Sequence, residues 1–142
     1  MRLVDTHSNS LGWLLDKELG ELVGVKCAVL VSGDGLLQAR TQGIGQEDAE
    51  KLSALSAPLR AASNAMDSHI GGGGVRQILV EFSESYGLTT SAANNSYLSV
   101  VTTDTDADVG LITHQMVQLA ARLGHAMEVE ERRPEVEAGT PT

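Results

Sequence analysis

Residues 46–82 read QEDAEKLSALSAPLRAASNAMDSHIGGGGVRQILVEF, which combines a helical pattern, a glycine run and a strand pattern. Apolar residues recur every three or four positions from Gln46 to about Ile70, so a long helix is predicted there. The run Gly71–Gly74 ends it, because glycine is unfavourable inside a helix. Alternating residues then predict a strand over 75–82. The run is interpreted as a linker because no Lys-Ser/Thr pair follows it, as a phosphate-binding loop requires.

The predicted helix carries three different sectors. A stripe of large apolar residues is suited to cover the helix's own sheet, and a stripe of alanines lies roughly 120–140° further round. The alanines would let a second backbone approach closely, whereas the polar sector is expected to face solvent. A single broad buried face in a monomer is the alternative. The sectors are, in that order, Leu52, Leu55, Leu59, Ala62 and Met66; Ala54, Ala57, Ala61 and Ala65; and Ser53, Arg60, Asn64 and Asp67.

Composition favours a cytoplasmic protein whose partners are other proteins. The chain has 142 residues, 42% of them hydrophobic, which suits one domain with its own core. A formal net charge of −9 disfavours nucleic acid and anionic membranes as partners. No apolar run is long enough for a membrane span, and no signal-peptide core is found. The single Cys27 lies in an apolar strand pattern and is predicted to be a small buried residue in a reducing compartment.

The remaining elements divide the chain into a flexible segment (1–8), a folded domain (9–127) and an acidic disordered tail (128–142). A first helix is predicted to start after Ser8 or Asn9, and a last helix to end near Met127. Pro58 predicts a kink or a break in the long helix, because it lacks an N–H and crowds the preceding turn. The other predicted strands are Val25–Ser32, Leu36–Thr41, Gly87–Ala93 and Ser96–Thr103.

No catalytic, metal or cofactor site is predicted. The four histidines have no Cys or carboxylate partners at ligand spacing. Asp104, Asp106 and Asp108 alternate as in a calcium loop, but the required glycine and distal Glu are missing, so helix capping explains them better. Nucleophile-elbow, dinucleotide and Walker motifs are all absent. The sequence therefore favours a protein that is not an enzyme.

Three segments resemble the Roadblock/dynein light-chain family. They are the hairpin VLVSGDGLL (29–37), the strand RQILVEF (76–82) and SVVTTDTDADVGLITHQM (99–116). Together with the order helix, two strands, long helix, three strands, helix, the resemblance covers roughly residues 9–127. More narrowly, the chain resembles bacterial conservon members, which are encoded beside a sensor-kinase-like protein and a Ras-like GTPase.

The resemblance implies an α+β fold with a five-stranded antiparallel sheet in the order 2-1-5-4-3. The long helix would lie on one face and the two terminal helices on the other. It also implies a homodimer formed by the long helices and third strands, and binding or regulation of a Ras-like small GTPase, with a membrane sensor-kinase-like protein as a further partner. The predicted dimer interface is Ala54, Ala57, Ala61, Ala65, Arg76, Ile78 and Val80, and the predicted GTPase-binding surface is Ser53, Arg60, Asn64 and Asp67.

Two other functions remain open at this point. Similar layers of helices and sheet serve as small-ligand sensory domains, with a pocket under the sheet. A purely structural dimer that joins two larger proteins is the other. The aliphatic, alanine-rich core offers few aromatic or polar groups for a pocket, which disfavours the sensory function.

Overall fold

The computed structural model describes residues 10–93 and 95–132, with side chains up to residue 125. The predicted flexible segment 1–8 and residues 133–142 of the predicted tail lie outside this range. In chain order the elements are α1 (Ser10–Leu15), a π-helical turn (Asp16–Gly20), β1 (Val25–Val31), β2 (Leu37–Arg40), α2 (Gln46–Ile70), β3 (Gln77–Glu81), β4 (Tyr86–Ser91), β5 (Tyr97–Thr102) and α3 (Val109–Arg132).

The five strands form one antiparallel sheet in the order β2-β1-β5-β4-β3. The predicted α+β fold and strand order are therefore confirmed. A tight turn joins β1 to β2, and Gly35 takes a positive φ of 84° in it, which glycine tolerates without strain. The long connection through α2 carries the chain from β2 at one edge of the sheet to β3 at the other edge, and short turns then lead through β4 to β5, the last strand, which lies between β1 and β4.

The helices cover the two faces of the sheet as expected. α1, the π-helical turn and α3 pack on one face, where the core includes Leu15, Leu30 and Leu98. α2 packs on the other face, where a smaller cluster joins Val29, Val31, Ala49 and Tyr97. Successive residues of a strand point to opposite faces, so β1 contributes side chains to both cores. It is buried at every position except Lys26.

Pro58 does not interrupt α2, which runs unbroken from Gln46 to Ile70. The predicted break is therefore wrong. Pro58 lies on the exposed side of the helix, and so does Ala54, whose carbonyl the proline leaves without its usual donor. Water can hydrogen-bond that carbonyl, so the missing N–H is tolerated there.

α3 continues past its predicted end at Met127 and extends at least to Arg132, the last described residue. The residues beyond Met127 include Glu128, Glu130 and Glu131, and glutamate is a good helix former. The acidic composition predicted disorder from residue 128, whereas the local helix propensity extends the helix by more than a turn.

The helices cover the sheet unequally. β2, β1 and β5, here called the covered half, have helices packed over them. β4 and β3, here called the open half, are covered less completely: α3 packs on one face of β4, the β4 residues on the other face are partly exposed, and no residue of β3 is fully buried. Every residue of β3 is at least partly exposed, and Leu79 at its centre is 56% exposed. The open half therefore carries apolar side chains that the chain itself does not bury.

Candidate functional site

The side of α2 that faces the sheet is its polar sector. Ala49 and Ser53 are the buried residues of this helix, and the Ser53 hydroxyl donates to the Ala49 carbonyl at 2.8 Å. The expectation that Ser53 faces solvent is therefore wrong. A short hydroxyl that bonds to its own helix can be buried without an unpaired donor, and its small size lets α2 lie close to β1 and β2.

A ring contact fixes the middle of α2 onto the sheet. The guanidinium of Arg60 lies 4.4 Å from the centroid of the Tyr97 ring, and its Nη1 donates to the Asn95 carbonyl at 3.2 Å. The Tyr97 hydroxyl, buried by the same packing, shares a 3.1 Å hydrogen bond with Ser56. Arg60 thus holds the β4–β5 turn of its own chain, which limits its freedom to reach a partner.

The other two residues of the predicted GTPase-binding surface differ from each other. Asp67 is partly buried, and its Oδ1 accepts the Gly74 N–H at 2.9 Å, so it anchors the glycine turn after α2. Asn64 is exposed. The four predicted residues therefore do not form one solvent-facing patch, because three of them contact their own chain.

Of the stripe of large apolar residues, Leu52 packs against the core between α2 and the sheet, as expected, whereas the residues after it do not cover the sheet. Leu55 is 73% exposed, Met66 66% and Ile70 72%, while Leu59 is exposed to a smaller degree. The polar sector already occupies the position against the sheet, because Ser56 and Arg60 make contacts with Tyr97 that a leucine cannot make. Leu55, Met66 and Ile70 consequently lie on a side of α2 that faces solvent.

The two exposed stripes of α2 flank its sheet-facing side, one on each side. Met66 and Ile70 line a cavity of about 630 Å³ together with Val75 and Arg76, the residues that lead into β3. Ala57 instead faces the β1–β2 hairpin, where a Cβ at Gly35 would lie 3.0 Å from its methyl. The apolar stripe therefore lies on the side of the open half, and the alanine stripe on the side of the hairpin.

β3 continues the exposed apolar surface. Ile78 and Val80 point to the same face of the sheet as α2 and are partly exposed, and Phe82 beyond them is 51% exposed. Within the described residues, β3 pairs with β4 alone, so its outer edge has no neighbouring strand. We call the combined feature the α2–β3 surface; it consists of Leu55, Leu59, Met66, Ile70, Ile78, Val80 and Phe82.

Three features of the described residues bear on function, namely their possible metal ligands, their single thiol and the apolar content of their helices. No group of three or more His, Cys, Asp or Glu side chains comes together as a metal site in residues 10–93 and 95–125. Burial raises the pKa of the Cys27 thiol, which suits an unreactive core residue, as predicted from the strand pattern. In the part of the chain that was searched, no helix has the length and apolar content to cross a membrane.

Comparison with known proteins agrees with this geometry. A family model for the Roadblock/LC7 domain matches residues 11–102, which span α1 through β5. The chain belongs to the Roadblock/LC7 domain family. The resemblance inferred from the three sequence segments is thereby confirmed.

Similar proteins come from bacteria and archaea. An uncharacterized protein of Methanocaldococcus jannaschii is 32% identical over 106 residues, covering 75% of this chain and 87% of its own length. A Roadblock/LC7 domain from Streptomyces avermitilis superimposes with a TM-score of 0.76 at 25% identity, over 82% of this chain and 96% of that one. Myxococcus xanthus MglB has the same fold, with a TM-score of 0.67 at 22% identity, over 81% of this chain and 83% of that one.

Sequence reasoning misjudged which side of α2 meets the sheet, and a signal for the right answer was present. Tyr97 lies in a strand of otherwise small and aliphatic residues, and a buried tyrosine hydroxyl needs a hydrogen-bond partner. Ser53, Ser56 and Arg60 recur at spacings of three and four, so one helical face could supply that partner.

Proposed function

We propose that this Roadblock/LC7 domain forms a homodimer through the α2–β3 surface. The observation that supports it is the continuity of exposed apolar side chains from Leu55 and Met66 on α2 to Val80 on β3. Soluble proteins avoid an exposed apolar strand edge, and a second β3 would satisfy its backbone groups. A two-fold interface of this kind should bury at least about 1,200 Å² in total.

In this dimer the apolar stripe of α2 meets the partner's α2, and the alanine stripe faces outward. This assignment reverses the roles first expected for the two stripes. It follows from their positions, since Met66 borders β3 whereas Ala57 borders the β1–β2 hairpin. Arg76, which precedes β3, and Ile78 and Val80 on β3 remain in the proposed interface.

The proposed function is regulation or scaffolding of a Ras-like small GTPase, without an active site complete in this chain. Support comes from family membership and from the resemblance to conservon proteins encoded beside such a GTPase. We place the GTPase on the outward side of the paired helices, where Ala61, Asn64 and Ala65 are exposed. This surface has few large anchors, so moderate affinity is expected.

The contacts of Arg60 argue for an indirect effect on the GTPase. Its guanidinium is held by Tyr97 and Asn95 within its own chain, whereas an arginine finger must reach the nucleotide. The paired helices would therefore order the switch loops of the GTPase and insert no catalytic group. A membrane sensor-kinase-like protein is the further partner proposed for the same signalling module.

Two charge insertions on opposite sides of α2 test both proposals at once. Leu59→Arg places a cation in the proposed dimer interface and should yield monomers in sedimentation or light scattering. Ala61→Arg, two positions away, should leave the dimer intact but weaken binding of the cognate GTPase loaded with a GTP analogue. Circular dichroism establishes that both variants are folded.

The outcomes separate the two surfaces. If Ala61→Arg dissociates the dimer and Leu59→Arg does not, the alanine stripe is the interface. If Ala61→Arg remains a dimer and binds the GTPase as wild type does, the docking site lies elsewhere. Equal affinity for the GDP and GTP-analogue forms would favour a passive scaffold, since a ligand without differential affinity shifts no equilibrium.

One observation favours small-ligand sensing as a second candidate. A cavity of about 660 Å³ lies beside the π-helical turn, not under the sheet, and its rim includes Trp13, which is 61% exposed. The Lys17 ammonium lies 5.1 Å from the centroid of that ring. Trp13 is the only tryptophan of the chain, so its fluorescence reports on this cavity directly. Co-purified metabolites that quench it would support sensing, and unchanged emission across such metabolites would count against it.

A further inference from the structure

A groove runs along α3 on the face of the sheet opposite α2. We call it the α3 groove; β4 forms its floor, Leu79 of β3 one wall, and Val109, Thr113, Val117 and Ala121 of α3 the other. Leu79 and Val117 are about half exposed, while Leu88 and Thr90 on the floor are buried. The groove lies on the face of β3 opposite the α2–β3 surface, although the two share this strand and Ile78 also lines the groove.

Thr90, in the middle of the groove, has an unsatisfied hydroxyl group. Its side chain is 5% exposed, and its Oγ1 has no hydrogen-bond partner among the described residues. Cavities of about 100 Å³ and 320 Å³ lie on its two sides, and Thr90 lines both. A buried hydroxyl without a partner is costly, so an occupant that brings a polar atom to this point gains stability from it.

The α3 wall has the shape that a helix needs for close packing. Its groove side carries Thr113, Val117, Ala121 and Gly124, all small or medium-sized and uncharged. From Val109 to Gly124 the wall extends for roughly 22 Å at 1.5 Å per residue, which matches about four helical turns. Small side chains in one row allow a second helix to lie deep between α3 and β3.

Negative charge is concentrated at the end of the groove where α3 begins. The β3–β4 turn and the β5–α3 loop meet there, because the Thr102 hydroxyl accepts the Tyr86 N–H and donates to the Asp104 carbonyl, both at 2.9 Å. Both connections carry exposed carboxylates, and among the described residues none of these takes part in an ion pair. The carboxylates are Glu81, Glu84, Asp104, Asp106 and Asp108.

We propose that the α3 groove binds an amphipathic helix of a partner protein, with basic side chains at the end nearest Asp104–Asp108. The apolar stripe of that helix packs between Leu79 and Val117, a polar atom approaches Thr90, and lysines or arginines face the carboxylates. Charge complementarity selects the partner, because the groove itself is uncharged while its end is acidic. The site does not depend on GTPase binding.

The test uses synthetic helical peptides of about 18 residues, which span the groove. One pair shares a Leu/Ala stripe and carries a lysine cluster at its N-terminal or C-terminal end; a second pair replaces the lysines by glutamates; a third has a scrambled stripe. Binding to the full chain is measured by fluorescence anisotropy. The matched protein variants are Val117→Glu in the groove and Gln118→Glu on the adjacent exposed position of the same helix.

One lysine peptide should bind at least about tenfold tighter than its glutamate counterpart, and more weakly as salt rises. Val117→Glu should remove binding, whereas Gln118→Glu, with the same charge change, should retain it. Equal binding by the two variants, by the scrambled peptides or by the glutamate peptides overturns the proposal. If Val117→Glu instead lowers the oligomeric mass of the protein alone, the groove is covered by a second copy of the chain and the proposal is wrong.

Discussion

β1 and β3 belong to the same sheet but face different surroundings. In the covered half, β1 is exposed at Lys26 alone and contributes to both cores. In the open half, β3 has no fully buried residue although three of its five residues are apolar. The comparison teaches that the chain's own helices bury β1 on both faces and leave β3 partly exposed. Stability therefore resides mainly in the covered half, whereas the binding sites that we propose use the open half.

The largest expected difference between the halves is in core stability. Leu30→Ala removes a fully buried side chain from β1 and should lower the free energy of unfolding by about 2–5 kcal/mol. Leu79→Ala, the same change in β3, should cost well under about 1 kcal/mol because Leu79 is half exposed. Urea unfolding of both variants in dilute solution gives the two values. Equal losses would mean that the open half is buried in the species measured.

The next effect concerns the edge of the open half. Val80→Glu places a charge on the face of β3 that we assign to the dimer interface and should raise the dimer dissociation constant at least ~100-fold, or about 2.7 kcal/mol. Analytical ultracentrifugation over a range of concentrations measures it. Val23→Glu is the control, since Val23 is 93% exposed and lies outside both halves. A dimer that is equally stable in the two variants would remove β3 from the interface.

A smaller effect distinguishes two neighbouring threonines of β4. Thr90→Val deletes a buried hydroxyl that has no hydrogen-bond partner among the described residues and should stabilise the fold by about 1 kcal/mol. Thr89→Val, on the opposite face, breaks the 2.9 Å hydrogen bond between Thr89 and Ser99 and should destabilise by a similar amount. Thermal unfolding gives both signs. Destabilisation by Thr90→Val would show that its hydroxyl is satisfied in solution.

The smallest effect is pH-dependent and lies in the covered half. Arg122 Nη2 donates to Glu18 Oε1 at 2.8 Å, and this bond lowers the pKa of Glu18. A lowered pKa in the fold means that the pair stabilises above the ordinary Glu pKa and loses this effect as pH falls through the lowered value. Glu18→Gln should cost at most ~0.5 kcal/mol at neutral pH, because Arg122 is half exposed. An equal cost at acidic pH would exclude the ion pair as its cause.

The sequence predicted the strands of the sheet better than the packing of α2, for a physical reason. The strand patterns reflect burial within the chain itself, and Asp34-Gly35 marks a tight turn, so the positions of these elements could be predicted. The order of the strands in the sheet followed from the family resemblance. The exposure of Leu55 and Met66 could not be predicted, because an apolar stripe has the same sequence pattern whether it packs on its own sheet or on a partner. The prediction that Ser53 faces solvent was wrong for the converse reason. A residue with a small hydroxyl side chain can lie either in solvent or at a close contact between a helix and a sheet.

The position of β5 has a consequence for how the chain folds. β5 is the last strand to leave the ribosome, yet it is the central one, and it alone joins the β1–β2 hairpin to the β3–β4 hairpin. Until residues 97–102 are available, the nascent chain consists of two hairpins that share no ladder. Formation of the sheet must then bring together segments distant in sequence, which slows folding. The five-stranded sheet can therefore form only after the final third of the chain has been synthesised. A protein truncated before Tyr97 lacks the strand that joins the two hairpins.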